Sequence, residues 1–241
     1  MRLSFFILFC SFLLIFSCNN IEKIKKSTDY EYKLTKANEF FLAGKWENAN
    51  VLYEELLAVF KGTKIFEEIY YRYAMSFYKQ GQFLAASYHF KNFTDIFPNS
   101  DSNEELEYLN TLCLQNLSPK YTLDQSSTTK SIQEIQKFID KHPNSKHVKD
   151  ANKQMDASRE KLEIKDAYAA ETYFKIGQHK AAALSFNQLL NKYPDSNLRD
   201  YYLYNAIKSQ FRYATRSIEE KQKERFEQVL SNAKDFLTNY S

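Results

Sequence analysis

Glycine and proline, the residues that most often interrupt helices, are scarce in this chain and recur at a fixed spacing. The 241 residues include only four of each. Pro98 follows Gly81 by 17 residues, and Pro194 follows Gly177 by the same 17. Such a length holds one helix and its turns, whereas β-sandwiches and barrels need a turn about every 8–12 residues. The spacing therefore predicts an all-α fold built from helix-length units.

Small and aromatic residues repeat around three of the glycines. Alanines lie seven positions before and five positions after each one, and an aromatic residue lies four positions before it. These residues are Ala37, Phe40 and Ala49 around Gly44, Ala74, Phe77 and Ala86 around Gly81, and Ala170, Tyr173 and Ala182 around Gly177. The alanines allow two helices to approach closely, and the aromatic side chains are expected to pack between them. This pattern is typical of tetratricopeptide repeats, and it predicts an α-solenoid of about five tetratricopeptide-like helix pairs.

The predicted helix pairs cover the chain from residue 30 onward as one helical repeat domain, 30–241. The predicted helices are 30–43 and 46–60, 65–80 and 82–97, 103–117 and 128–141, 147–176 and 178–192, and 198–216 and 218–239. The third pair contains an unusually long connecting loop, 118–127.

The N-terminus has the pattern of an export signal. Arg2 precedes an apolar run over 3–16, and Leu14-Ile15-Phe16-Ser17-Cys18 resembles a bacterial lipobox. We therefore predict a lipoprotein signal peptide over 1–17, lipidation of Cys18, and a polar lipidated tether over 18–29 that links the protein to a membrane. An ordinary secretory signal with an incidental cysteine is the alternative.

Charge and motifs argue against nucleic-acid binding and catalysis. The 33 basic and 30 acidic side chains give a formal charge of only +3, which does not indicate a nucleic-acid partner. His142 and His147 have no metal-ligand spacing. The sequence contains no Gly-rich phosphate loop or nucleophile elbow, so we expect no catalytic residues, metal or cofactor. Cys113 lies in an apolar stretch and is predicted to be a core residue.

Two sets of residues are candidates for protein binding. The first set lies 10, 6 and 3 positions before the first two repeat glycines and comprises Leu34, Asn38, Phe41, Tyr71, Met75 and Tyr78. On helices these residues project away from the seam of each pair, toward an expected groove suited to an extended peptide ending in aromatic residues. Packing between adjacent repeats is the alternative explanation. The second set, Glu220, Lys221, Glu224 and Arg225, belongs to a charge-rich helix, which is either a solvated face or a partner-docking surface.

Longer strings of residues suggest a family. These strings are 60–64 (FKGTK), 70–74 (YYRYA), 90–93 (FKNF), 97–100 (FPNS), 117–125 (LSPKYTLDQ) and 217–225 (SIEEKQKER). Together with the lipobox cysteine and the helix pairs, they resemble the BamD family of outer-membrane assembly lipoproteins, in the form carried by Bacteroidetes-like bacteria. His142 departs from that resemblance, because the family usually has an aromatic residue before the proline at this point.

The resemblance implies a lipid-anchored, non-enzymatic subunit of the β-barrel assembly machinery at the outer membrane, facing the periplasm. It further implies that the N-terminal repeats receive unfolded outer-membrane proteins and that the C-terminal repeats bind a BamA-like barrel subunit. Two other classes stay open. One is another tetratricopeptide adaptor lipoprotein of the cell envelope, and the other is a helical-repeat nutrient-binding lipoprotein.

Overall fold

A computed structural model describes residues 21–240, and ten helices of at least 13 residues make up most of this range. They are α1 Tyr30–Leu42, α2 Trp46–Val59, α3 Phe66–Lys79, α4 Phe83–Ile96, α5 Asn103–Leu117, α6 Ser126–Lys141, α7 Val148–Lys175, α8 His179–Lys192, α9 Arg199–Thr215 and α10 Glu219–Tyr240. No strand occurs in the described range. The all-α prediction is confirmed, and every predicted helix end lies within two residues of the observed one. The predicted signal peptide and Cys18 lie outside the described residues.

The repeat glycines end their helices by a common backbone device. After α3, the N–H of Gly81 donates to the carbonyl of Tyr78, and the N–H of Gln82 donates to the carbonyl of Phe77. This pair of bonds is a Schellman motif, and it requires the left-handed φ of +72° that Gly81 adopts. The same two bonds recur at Gly44 and Gly177. Glycine is favoured at these turns because a side chain would be strained there.

The chain forms two compact units. Unit 1 contains residues 21–118 and 133–152, and unit 2 contains 119–132 and 153–240, so α6 and α7 contribute residues to both. In unit 1, α1 to α5 contact one another in chain order. Ala37 and Ala49 face each other between the first two helices with no exposed surface, and Ala74 and Ala86 are equally buried in the next pair. The predicted close approach of paired helices is confirmed in unit 1.

A short helix over 21–25 precedes α1, within the segment predicted as a tether. Ile24 is only 2% exposed and joins the core formed by α1, α2 and α3, and Ile21 packs against the same core. The folded part of the protein therefore begins before residue 30, because two apolar side chains one helical turn apart reach the core.

Unit 2 has its own core, formed by side chains of α7, α8 and α9. Phe186, Leu189 and Tyr202 are almost completely buried there against Ala170. Tyr173 does not fill the seam as predicted, since its side chain is 42% exposed. The next residue, Phe174, takes that place, with its ring centroid 5.2 Å from that of His179.

One polar contact repeats in three helix pairs. It joins a serine in the turn after each pair to a glutamate on the first helix of the same pair. The hydroxyl of Ser100 donates to the carboxylate of Glu67 at 2.5 Å, and that of Ser145 donates to Glu104 at 2.6 Å. Ser196 makes the equivalent contact with Glu163. Each serine oxygen also accepts a backbone N–H from the residue two positions later. We call these three pairs the Ser–Glu contacts.

Candidate interaction surfaces

The six predicted groove residues lie on α1 and α3, as expected, but their surroundings differ. Met75 is 7% exposed and belongs to the core of α3, α4 and α5. The other five side chains are half-buried. Leu34 packs against the core of α1 and α2. Met75 and Leu34 therefore have the environments expected for packing residues.

Asn38 uses part of its amide inside its own helix pair. Its Oδ1 accepts a hydrogen bond of 2.8 Å from the hydroxyl of Tyr53. Tyr53 has no exposed surface, and burial raises the pKa of its hydroxyl to about 12, so this hydroxyl stays protonated and donates. The amide NH2 of Asn38 is the group left to donate to a bound peptide.

Phe41 lies between the first two helix pairs. It packs against the core of α1 and α2 and also against that of α3 and α4. The Arg72 guanidinium lies 5.9 Å from the centroid of the Phe41 ring, and its Nη2 pairs with Glu68. The position of Phe41 supports packing between adjacent repeats, with the Arg72 cation over the ring.

Tyr71 has the environment best suited to contact a ligand. Its ring packs edge to face with that of Phe93, with the ring centroids 6.3 Å apart, and its hydroxyl donates to Glu105 at 3.3 Å. Burial, followed by the Glu105 carboxylate, raises the Tyr71 pKa to about 12. Tyr71 borders a surface hollow of about 270 Å³ lined by Lys64, Glu67, Glu68, Tyr71, Phe93 and Ser102. This hollow combines two aromatic rings with charged rims.

Tyr78 completes the set near the end of α3. Its ring lies 6.0 Å from both Phe83 and Phe90. Desolvation raises the pKa of its hydroxyl. Tyr71 and Tyr78 are seven residues apart, two helical turns, so they lie along one side of α3.

The predicted docking residues lie on the first turns of α10. Glu220, Lys221 and Glu224 are exposed, and Lys221 pairs with Glu224 at 3.0 Å. Arg225 is held within the protein instead, with its guanidinium 4.3 Å from the Tyr213 ring centroid and bonded to the hydroxyl of Ser217. Three of the four residues therefore form an accessible charged surface, while Arg225 fixes α10 against α9.

The long loop 118–127 is ordered by two side chains, Gln125 and Lys165, whose structural role the sequence pattern did not predict. Gln125 is 6% exposed, and its Nε2 donates to the carbonyls of Lys120 and Leu123 at 2.8 and 3.1 Å. The ammonium of Lys165 donates to the carbonyls of Tyr121 and Leu123 at 3.2 and 2.8 Å. Because Gln125 is buried and bonded, the Asp124-Gln125 string has a structural role in loop conformation.

The reactive side chains are used structurally. Cys113 has no exposed surface, and burial raises the pKa of its thiol to about 12, which leaves it unreactive as a nucleophile. Nε2 of His142 lies 2.8 Å from Glu107, and His147 stacks on Tyr108. Within residues 21–240 no group of His, Cys, Asp and Glu side chains is arranged to hold a metal ion.

His179 occupies the repeat position filled by Trp46 in α2 and Phe83 in α4. It is 8% exposed, and neither ring nitrogen has a hydrogen-bond partner among the described residues. Burial, then the positive charges of Arg216 and Arg212, lower its pKa. A neutral imidazole in this place is an imperfect substitute for an aromatic ring.

We expect His179→Phe to raise the free energy of unfolding by about 1 kcal/mol, because it removes two unsatisfied buried nitrogens. In the wild type the unfolded chain binds a proton at this histidine near pH 6.5, while the folded chain resists it. Stability should therefore fall as pH drops below about 6.5, and the variant should show a smaller fall. Urea unfolding at about pH 7.5 and about pH 5 checks both results. An unchanged pH dependence would contradict this assignment.

Comparison with known proteins identifies related chains. A family model described as YfiO, outer membrane lipoprotein, matches residues 27–240. Two relatives from different strains of Xylella fastidiosa, each named outer membrane protein assembly factor BamD, are 27% and 25% identical over 203 and 207 residues. These matches cover 78% and 79% of this chain and 69% of each relative. Among solved structures, the TPR2AB-domain:pHSP90-complex of yeast Sti1 aligns with a TM-score of 0.44 at 13% identity, covering 88% of this chain and 92% of that one.

Proposed function

The chain belongs to the YfiO family of BamD-like outer membrane lipoproteins, and from this premise we propose that it is a lipid-anchored scaffold subunit of the β-barrel assembly machinery. In this proposal it binds unfolded outer-membrane proteins and a BamA-like barrel subunit, and thereby promotes folding and insertion of the former. The observation that carries the proposal is the family match over 27–240, which includes every helix from α1 to α10. The protein acts by binding and catalyses no reaction.

Anchoring is proposed through lipid on Cys18, with the helical body facing the periplasm. In the described part of the chain, none of the helices combines the length and apolar character needed to cross a bilayer. The first core side chains, Ile21 and Ile24, follow Cys18 within six residues. A lipid on Cys18 would therefore hold unit 1 close to the membrane surface.

Substrate capture is proposed at the side of α3 that carries Tyr71 and Tyr78. In this proposal the unfolded outer-membrane proteins carry a C-terminal targeting signal rich in aromatic residues, and aromatic rings pack edge to face against one another. The Tyr71 hollow offers the half-buried ring of Tyr71, which packs on the buried Phe93, together with Lys64 on its rim. Leu34, Asn38 and Phe41 on α1 would extend the site, whereas Met75 supports it from the core.

Docking of the barrel subunit is proposed at the exposed charges of α10. Glu220, Lys221 and Glu224 present both signs of charge to a partner, and Arg225 holds the helix in place through Tyr213 and Ser217. Exposed charges of this kind steer the association of two proteins and determine the register of their interface.

Photo-crosslinking in native membranes tests the proposal. We expect a photoreactive residue at position 71 to capture unfolded outer-membrane proteins and one at position 224 to capture a large barrel protein with periplasmic repeats. We expect the two captured species to differ because the two positions lie in different units. Mass spectrometry of the crosslinked products identifies the partners.

The matched control for position 71 is Tyr88 on α4, a tyrosine that is 61% exposed and outside the proposed groove. Lys149, an exposed residue of α7, serves the same purpose for position 224. Equal capture at control and test positions would contradict the assigned surfaces. Consistent absence of a barrel subunit from all products would instead favour another envelope adaptor.

A further inference from the structure

Three cations at the C-terminal end of α9, the last of them on the residue that caps the helix, take no part in the salt bridges of the described residues. Lys208, Arg212 and Arg216 follow one another at four-residue intervals and are all exposed. None of them is paired with a carboxylate within the described range, although Lys221, Lys192 and Lys175 in the same unit are each paired. We call these three residues the α9 basic row. Residues at this interval lie along one face of a helix.

Aromatic rings hold one end of the row. The ammonium of Lys208 lies 5.1 Å from the ring centroid of Phe174 and 5.8 Å from that of Tyr204. Tyr204, four residues before Lys208, is 53% exposed, and Tyr201 nearby is 41% exposed. A cation held beside exposed rings can bind a carboxylate while the ring packs against an apolar group.

The other end of the row lies at the turn between α7 and α8. The Arg216 Nη1 lies 3.1 Å from the position that a Cβ on Gly177 would take. Arg216 and Arg212 also both lower the pKa of His179 on α8, so their charges reach the interior of that turn.

The surrounding charges do not neutralise the row. On α7, Glu171 accepts from the hydroxyl of Tyr201 at 2.8 Å and pairs with Lys175 at 3.4 Å. On α8, Lys180 is exposed and adds a further positive charge near the turn. On α9 and at this turn, the row and Lys180 therefore carry positive charges that no carboxylate of the described residues pairs, and the exposed Glu219 and Glu220 begin α10 beyond the Arg216 end.

We propose that the α9 basic row, with Tyr204, is a binding site for an extended acidic segment of a partner protein. Tyr204 and Arg216 are twelve residues apart, which corresponds to about 18 Å along a helix, the length of about five residues of extended peptide. The carboxylates of the segment contact Lys208, Arg212 and Arg216, and one apolar side chain packs on Tyr204. The site uses different residues from the proposed surfaces on α3 and α10, and it does not depend on the proposed function.

A fluorescence titration with a defined probe tests this site. The probe is a labelled glutamate-rich hexapeptide ending in phenylalanine, and the reference is the same peptide with glutamines. We expect the purified protein to bind only the acidic peptide. The double variant Arg212→Gln with Arg216→Gln should raise the dissociation constant by about tenfold or more. The matched control, Lys130→Glu with Lys149→Glu, alters two exposed lysines elsewhere and should change it less than about twofold.

The pKa of His179 provides a second readout. Bound carboxylates would offset the charges of Arg212 and Arg216, so NMR titration should show the His179 pKa rising when the acidic peptide is added. The pKa of His89 in unit 1, which burial lowers, should stay unchanged. Equal binding of the glutamine peptide, or unchanged affinity in the double variant, would overturn the proposal. Binding to phosphatidylglycerol vesicles that depends on the row, without peptide binding, would overturn it in favour of a lipid headgroup.

Discussion

Phe93→Ala is expected to lower the free energy of unfolding of unit 1 by about 3–5 kcal/mol. The Phe93 side chain has no exposed surface, and its ring lies 4.9 Å from Phe97 and 6.1 Å from Tyr70. Truncation would leave a cavity among these rings, which neighbouring helices can fill only in part. Urea unfolding followed by far-UV circular dichroism measures the change.

The control for this experiment is Leu84→Ala on the same helix. Leu84 is 73% exposed, so its truncation should change the free energy of unfolding by less than about 0.5 kcal/mol. Because the Phe93 ring also packs against Tyr71, capture of unfolded proteins at position 71 should fall in Phe93→Ala even at a temperature where the variant is folded. A loss of stability as small as that of the control would contradict the assigned core.

Glu55→Ala is expected to lower the free energy of unfolding by about 2–3 kcal/mol. Its partner Lys33 is only 2% exposed, and the ammonium lies 2.6 and 2.8 Å from the two carboxylate oxygens of Glu55. Removal of the carboxylate would leave a buried ammonium without its counter-charge. The loss should be below the largest values known for buried pairs because the Glu55 side chain is 41% exposed.

The double variant Lys33→Met with Glu55→Ala separates the charge effect from the packing effect. An apolar side chain of similar length needs no counter-charge, so most of the stability lost in Glu55→Ala should return. Glu39→Ala removes the partner of Lys36 in a neighbouring surface pair and should leave the unfolding midpoint unchanged. A double variant as unstable as Glu55→Ala would show that Glu55 acts by packing alone.

The helices were predictable because their ends depend on local chemistry. Gly44, Gly81 and Gly177 close the same Schellman motif, and each has the left-handed φ that glycine favours. Pro98 and Pro194 each lie two residues after the end of the second helix of a pair. These determinants lie within a few residues of each boundary, so a single sequence contains them.

The environment of individual side chains was less predictable because it depends on a third helix. Met75 and Tyr71 lie one turn apart on the same side of α3, yet α4 and α5 cover Met75 and leave the Tyr71 hollow open. Periodicity places a residue on a helix face but does not indicate what covers that face. The same reason explains why Phe174, and not Tyr173, contacts His179.

The Ser–Glu contacts could have been found from the sequence. Glu67 and Glu163 each lie 14 residues before a repeat glycine, and Ser100 and Ser196 each lie 19 residues after it. This shared spacing also shows that the repeat portion of the long helix α7 begins near Glu163. The preceding part of α7 is an addition to the common pattern, which helix length alone did not reveal.

The Ser–Glu contacts also bear on how this chain tolerates changes in length. Glu67 and Glu163 lie 33 residues before their serines, whereas Glu104 lies 41 residues before Ser145. Closing the longer segment costs only about 0.2 kcal/mol more in chain entropy. Insertions and deletions in the 118–127 loop should therefore be nearly neutral when Gln125 and Lys165 keep their carbonyl partners. That loop is a site where related proteins can diverge in length, and where an engineered reporter can be inserted, without changing the register of the helices.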